Sequence, residues 1–154
     1  MILEEITHLE CSPDQAIAFF EDLEENYLRW HPAHIFFKWL GPREDPHGRF
    51  FFDERIGPLR LRLKMKMDRL GPNRIRCTPE SRVWRFFFPG MSFSVEPEGD
   101  GTLYIHHIAL RLGPLEGLLD RRVLMPIRQH MREEGANLAM LTKPEATGQH
   151  PARR

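Results

Sequence analysis

Between Leu59 and Asp68 the chain reads LRLRLKMKMD, with Leu59, Leu61, Leu63, Met65 and Met67 alternating with Arg60, Arg62, Lys64, Lys66 and Asp68. A period of two over ten residues fits only a strand with one face in a core and the other in water. Sheets with such a wet face are antiparallel, because a parallel sheet is covered on both sides and reads as continuous apolar runs. Turn signals at Gly41-Pro42, Gly57-Pro58, Gly71-Pro72-Asn73, Pro89-Gly90 and Glu98-Gly99-Asp100-Gly101 divide Ile35 to Leu112 into about six strands joined by short connections. Ile2 to Glu10 reads as a further strand, at the start of the chain.

Helices flank the meander. Ser12-Pro13-Asp14 is a helix entry with Ser12 as N-cap and Pro13 at the first helical position. Ala16, Phe19, Phe20, Leu23, Tyr27 and Leu28 follow at helical spacing, as one bent helix or two short ones, ending before His31-Pro32. Leu112-Gly113-Pro114 closes the last strand, and an amphipathic helix is expected from about Leu115 to Leu141, kinked by Pro126. The fold class is α+β: a curved antiparallel seven-stranded sheet wrapped around a long C-terminal helix, with a short helix pair after the first strand. Residues 1–143 form one domain, and the tail 144–154 is expected to be disordered.

With 154 residues and 41% apolar content the chain can build a single core without staples. Lys plus Arg and Asp plus Glu each number 22, so no net positive field gathers nucleic acid or a membrane, and a small-molecule ligand is the expected partner. MILEEITHLE lacks the basic start and apolar run of a signal peptide, so a soluble cytoplasmic protein is expected. Cys11 and Cys77 form no CxxC pair and read as two reduced thiols. There is no Gly-rich phosphate loop, no serine elbow and no interleaved basic and aromatic platform.

Several polar residues fall where apolar ones belong. On the last helix, Leu119, Val123, Ile127, Leu138 and Leu141 occupy a sector about 100° wide, and His130 and Glu134 fall inside it, whereas Arg132 and Glu133 point elsewhere. Four residues apart, His130 and Glu134 are near enough to grip one ion; the plainer reading is a weak, water-facing pair. In the strand Phe50 to Ile56, Glu54 shares a face with Phe50, Phe52 and Ile56, opposite Phe51, Asp53 and Arg55. A carboxylate facing the core demands protonation, an ion pair, for instance with an internal arginine, or a metal. WHPAH, ending the helix pair, delivers an imidazole to the same cavity: His34, starting the next strand, is the preferred ligand, with His31 as its support or substitute. His106 shares a face with Tyr104, Ile108, Leu110 and Leu112 and is a possible cavity acid or base, with His107 facing outward. His8 and His47 read as surface residues. Trp30, Phe50, Phe52, Met65 and Met67 are candidate pocket residues, as are Trp84, Phe93, Tyr104, His106 and Ile127; Trp39, Phe86, Phe88 and Met91 belong to the same aromatic and methionine set, which equally suits plain core.

The Ser-Pro-Asp-Gln helix entry, the Val95-Glu96-Pro97-Glu98-Gly99 hairpin and the Leu112-Gly113-Pro114-Leu115 lead into the last helix resemble the START-like polyketide cyclase and dehydrase superfamily over residues 1 to 141. That superfamily includes lipid carriers and aromatase or cyclase enzymes, so the resemblance implies a helix-grip fold and a pocket without naming its content. A narrower resemblance is to the metal-dependent acylphloroglucinol hydrolases, which join a helical His-x-x-x-Glu pair to an earlier histidine and glutamate. It implies a metal held by His34 (or His31), Glu54, His130 and Glu134. Two imidazoles and two carboxylates suit Zn²⁺ and also accept Fe²⁺, Mn²⁺ or Ni²⁺. The expected function is metal-dependent hydrolysis, or another transformation, of a small carbonyl-bearing, aromatic or polyketide-like molecule. The alternatives are a non-catalytic lipid or polyketide carrier and a metal-free cyclase or dehydratase using His106.

Overall fold

The structure is a computed structural model that describes residues 1–42, 47–113 and 119–143. The expected disordered tail and the first residues of the expected long helix lie outside the described residues. Seven antiparallel strands form one sheet: β1 (Ile2–Leu9), β2 (His34–Trp39), β3 (Arg49–Ile56), β4 (Leu59–Arg69), β5 (Arg74–Pro79), β6 (Gly90–Glu98) and β7 (Gly101–Ala109), in the spatial order β1-β7-β6-β5-β4-β3-β2. This is the expected meander, with β1 returning to pair with β7 from Ile2↔Ala109 to Leu9↔Thr102.

Helices α1 (Pro13–Glu21) and α2 (Leu23–Trp30) fill the connection from β1 to β2. Ser12 and Gln15 form a reciprocal capping box: Gln15 N–H donates to Ser12 Oγ, and Ser12 N–H donates to Gln15 Oε1. Phe19 and Phe20 of α1, with Leu23, Tyr27 and Trp30 of α2, face the sheet and are buried. At His31, placed before Pro32, the backbone turns extended (φ −149°, ψ 139°) and the helix stops.

The alternation read in β4 holds. Leu63, Met65 and Met67 are buried, and the intervening Arg62, Lys64 and Lys66 are exposed. On β3, Phe50, Phe52 and Ile56 are buried inward. Asp53, expected in solvent, is covered on the outer face by Arg60, whose Nε and Nη2 donate to its carboxylate at 2.9 and 2.8 Å. The region Ser81–Phe88 departs from the expected strand spacing. Ser81 Oγ accepts from Trp84 N–H and caps a short helix, α3 (Arg82–Phe87), so Trp84, Phe86 and Phe88 do not share one strand face.

The long C-terminal helix is α4 (Met125–Leu141), preceded by a π-helical turn over Asp120–Leu124. Pro126 has no N–H to offer and its ring crowds the preceding turn, so the expected kink takes the form of this widened turn. Gly57, at the tip of the β3–β4 hairpin, has φ +55°, and a Cβ there would lie 2.8 Å from Pro126 Cβ. Hairpin and helix start therefore touch where only glycine fits. The inner face of α4 carries Ile127, His130, Met131, Glu134, Gly135 and Leu138, all buried against the sheet.

Candidate functional site

Three elements bring polar groups to one interior point. Beyond Pro32, β2 pairs with β3 through a bulge: Phe37 lies opposite Phe52 and Phe36 opposite Asp53, but His34, not Ile35, lies opposite Glu54. Strict alternation from the buried Phe37 would turn Ile35 inward and His34 to solvent. The extra residue reverses this, leaving Ile35 43% exposed and His34 5% exposed. From α4, one turn apart, His130 and Glu134 enter the same space, both buried.

Hydrogen bonds fix the orientation of each ring. His34 Nδ1 lies 2.7 Å from the Tyr27 carbonyl oxygen, which can only accept, so Nδ1 carries the proton and Nε2 faces inward. There Nε2 lies 3.1 Å from Glu134 Oε1 and 3.6 Å from Glu54 Oε2, and His130 Nε2 lies 3.5 and 4.0 Å from the same two oxygens. Tyr27 donates its hydroxyl to Glu54 Oε2 at 2.8 Å, and Trp30 Nε1–H donates to the Glu134 carbonyl at 2.9 Å, tying α2 to both carboxylate-bearing elements. Stacking of the Tyr27 and His34 rings, with centroids 3.9 Å apart, completes the support.

His31 is close but engaged differently. One nitrogen from each of His31, His34 and His130 lies within 4.8 Å of the other two. The His31 Nδ1 accepts the Ala33 N–H at 3.0 Å, so its Nε2 carries the proton and donates to Glu133 Oε2 at 2.8 Å. Glu133, expected to point elsewhere, therefore serves the site as the acceptor for His31, and Gln129 holds its other oxygen.

Burial and charge determine the protonation preferences of the cluster. Burial and the neighbouring Glu134 raise the pKa of Glu54. Burial acts the same way on Glu134, yet its contacts with His130 and His34 outweigh it and hold the acid well below the usual carboxylate range. For His130, desolvation is overcome by Glu134 and the pKa is raised; for His31, desolvation prevails and the pKa is lowered. His106, buried on β7 with Nδ1 3.5 Å from Glu134 Oε2, is lowered to about 4 by desolvation. Among the described residues neither of its ring nitrogens has a hydrogen-bond partner, nor does His130 Nε2.

The donor set fits a divalent metal. A neutral His34 with its proton on Nδ1 aims a lone pair at two carboxylate oxygens, a repulsive arrangement that either a proton or a cation relieves. Donor–donor separations of 3.1, 3.5, 3.6 and 4.0 Å bracket the about 3.4 Å edge of a tetrahedron built at zinc–ligand distances. Among the described residues no arginine or lysine pairs with Glu54; its ion-pair partners are His34 and His130.

Two cavities meet at this cluster. An inner one of about 50 Å³ is lined by His106, His130, Glu134 and Glu54 among aromatic and aliphatic side chains, including the expected Trp30, Phe50, Phe52, Met67 and Phe93. An outer one of about 250 Å³ is lined by Trp84, Phe87, Phe88, Leu110, Val123 and Ile127, with Glu54 as the one ionisable lining residue among the described residues. The two share Phe52, Glu54, Ile56, Met91 and Ile108. Met65 and Tyr104, expected in the pocket wall, line neither; both are fully buried in the core. His8, His47 and His107 lie on the outer surface, paired with Glu98, Asp68 and Glu4. Cys11 and Cys77 are both free and buried.

No protein-family model matches the chain, and no curated protein matches it either. Solved structures do. A protein from Thermus thermophilus is 15% identical, with a TM-score of 0.74 over 92% of this chain and 97% of that one. A START superfamily protein from Mycobacterium smegmatis is 16% identical, with a TM-score of 0.69 over 91% and 98%. The Zhui aromatase/cyclase from Streptomyces sp. R1128 is 9% identical, with a TM-score of 0.67 over 92% and 93%. At these identities the likeness establishes the fold alone: the chain shares the helix-grip architecture of these structures. No helix among the described residues is long and apolar enough to cross a membrane.

Proposed function

We propose that the protein is a metal-dependent enzyme of hydrolase type, acting on a small carbonyl-bearing molecule whose apolar part fills the outer cavity. The observation that carries this reading is the convergence of His34 Nε2, His130 Nε2, Glu54 Oε2 and Glu134 Oε1, with no lysine or arginine among the described residues to balance the acids. These four residues would hold Zn²⁺ or another divalent transition metal, which when bound supplies Lewis acidity. Tyr27 and its carbonyl hold Glu54 and His34 in place, and the Glu133–His31 pair packs beside His130, with His31 and His130 ring centroids 4.3 Å apart. Apolar walls around the inner cavity limit the water that reaches a bound carbonyl.

The test is elemental analysis of protein purified without a nickel column. Near-stoichiometric metal that disappears in both His130→Ala and Glu54→Gln supports the reading. Metal-free protein that co-purifies with an apolar molecule supports a carrier instead. A second reading, a metal-free cyclase or dehydratase, draws on His106, which lines the inner cavity and whose ring nitrogens make no hydrogen bond among the described residues, and on the fold shared with an aromatase/cyclase. It predicts activity that survives chelators and is lost in His106→Ala.

A further inference from the structure

Helix α3 is short, and every residue from Ser81 to Phe87 is exposed. Its sequence, RVWRFF, nevertheless holds four large apolar side chains: Val83 is 69% exposed, Trp84 41%, Phe86 60% and Phe87 50%. Scattered single apolar residues on a surface need no explanation, but a contiguous cluster marks an interaction site. The helix is also basic. It carries Arg82 and Arg85 and no acid. Two further arginines, Arg121 and Arg122, are exposed in the π-helical turn, whose Val123 lines the outer cavity together with Trp84 and Phe87. Arg111, also exposed, has its backbone N–H bonded to the Phe87 carbonyl. Exposed aromatic rings thus border the apolar cavity, and the segments that flank it carry exposed arginines, of which Arg85 donates to the Pro79 and Glu80 carbonyls.

We propose that this rim is a docking surface for an anionic phospholipid membrane, with Trp84, Phe86 and Phe87 inserted at headgroup level. Tryptophan and phenylalanine favour the interfacial region, and arginines beside them meet anionic headgroups. The chain's neutral net charge does not oppose this, because attraction at a surface depends on charge within about a Debye length of the contact. A second copy of the chain is the poorer occupant, since pairing α3 with itself would set Arg82 and Arg85 against their own like charges. Docking would place the mouth of the 250 Å³ cavity against the bilayer and let an apolar ligand enter without crossing water. The inference holds whether or not the interior site carries a metal.

Co-flotation of the full chain with vesicles of phosphatidylcholine alone, and with added phosphatidylserine, tests the proposal. The expected result is binding to the serine-containing vesicles, weakening as salt rises, with a blue shift of fluorescence that is lost in Trp84→Phe. Phe86→Ser with Phe87→Ser, and separately Arg82→Glu, should each weaken binding about tenfold while leaving circular dichroism and melting unchanged. Failure of the wild-type chain to bind anionic vesicles overturns the proposal. So does binding that is indifferent to all three substitutions, or a dimer in sedimentation that dissolves in Phe86→Ser with Phe87→Ser without any vesicle binding.

Discussion

Tyr27 is the residue on which most of the site depends, because its hydroxyl restrains Glu54 and its carbonyl orients His34. Tyr27→Phe keeps the ring and removes only the hydroxyl bond. Its expected effect is a 10- to 100-fold loss of zinc affinity, read by competition with a chromophoric chelator, at a stability cost of about 1 to 2 kcal/mol. The tyrosine falls at a helical core position in the sequence, and nothing there reveals its polar end. Cys77 is a buried free thiol in the wall of the inner cavity. Desolvation, aided by Asp68, pushes its thiol up to about 12. It should resist iodoacetamide at pH 8 in the folded protein and react on unfolding, as mass spectrometry of the peptide would show. Rapid labelling under native conditions would contradict the burial.

At the scale of elements, two local devices place the site. The first is the bulge at Ile35. A reading by alternation puts Ile35 in the core, where truncation is costly, whereas its exposed position predicts that Ile35→Thr changes stability by no more than about 0.5 kcal/mol in urea denaturation. The second is the contact of α4 with β1 at Gly135, where a Cβ would lie 2.1 Å from Thr7 Oγ1 and 3.2 Å from Thr7 Cβ. Threonine is stiff at χ1 and cannot easily swing aside. Gly135→Ala should therefore cost about 1 to 3 kcal/mol, and Thr7→Ala should recover part of that in the double variant. Since Glu134 precedes Gly135, metal binding should fall with the displaced helix.

For the whole molecule, the site joins α2, β2, β3 and α4, so anything bound there ties together segments distant in sequence. A metal that binds only the folded chain stabilises it by about 2.7 kcal/mol at a free concentration of 100 times its dissociation constant. Thermal melts should rise with added Zn²⁺ and fall with chelator, and Glu54→Gln should abolish the difference. An unchanged melting temperature in the wild type would argue for proton-balanced histidines and the metal-free reading.

The sequence by itself determined the elements and their faces. A period of two in β4, Ser12-Pro13 before α1 and the apolar stripe of α4 are short-range statements about backbone and solvent, and they were enough to give the sheet, the helix pair and the inward direction of Glu54, His130 and Glu134. Only the tertiary structure decided which groups meet and in what state. The bulge that turns His34 inward, the bond from His31 to Glu133 and the hold of Tyr27 on Glu54 all depend on separations across elements, some of more than 100 residues, that no local pattern encodes. The same holds for α3. Its aromatic spacing reads as strand or core, and its exposure follows from where the neighbouring strands leave it, beside the cavity mouth.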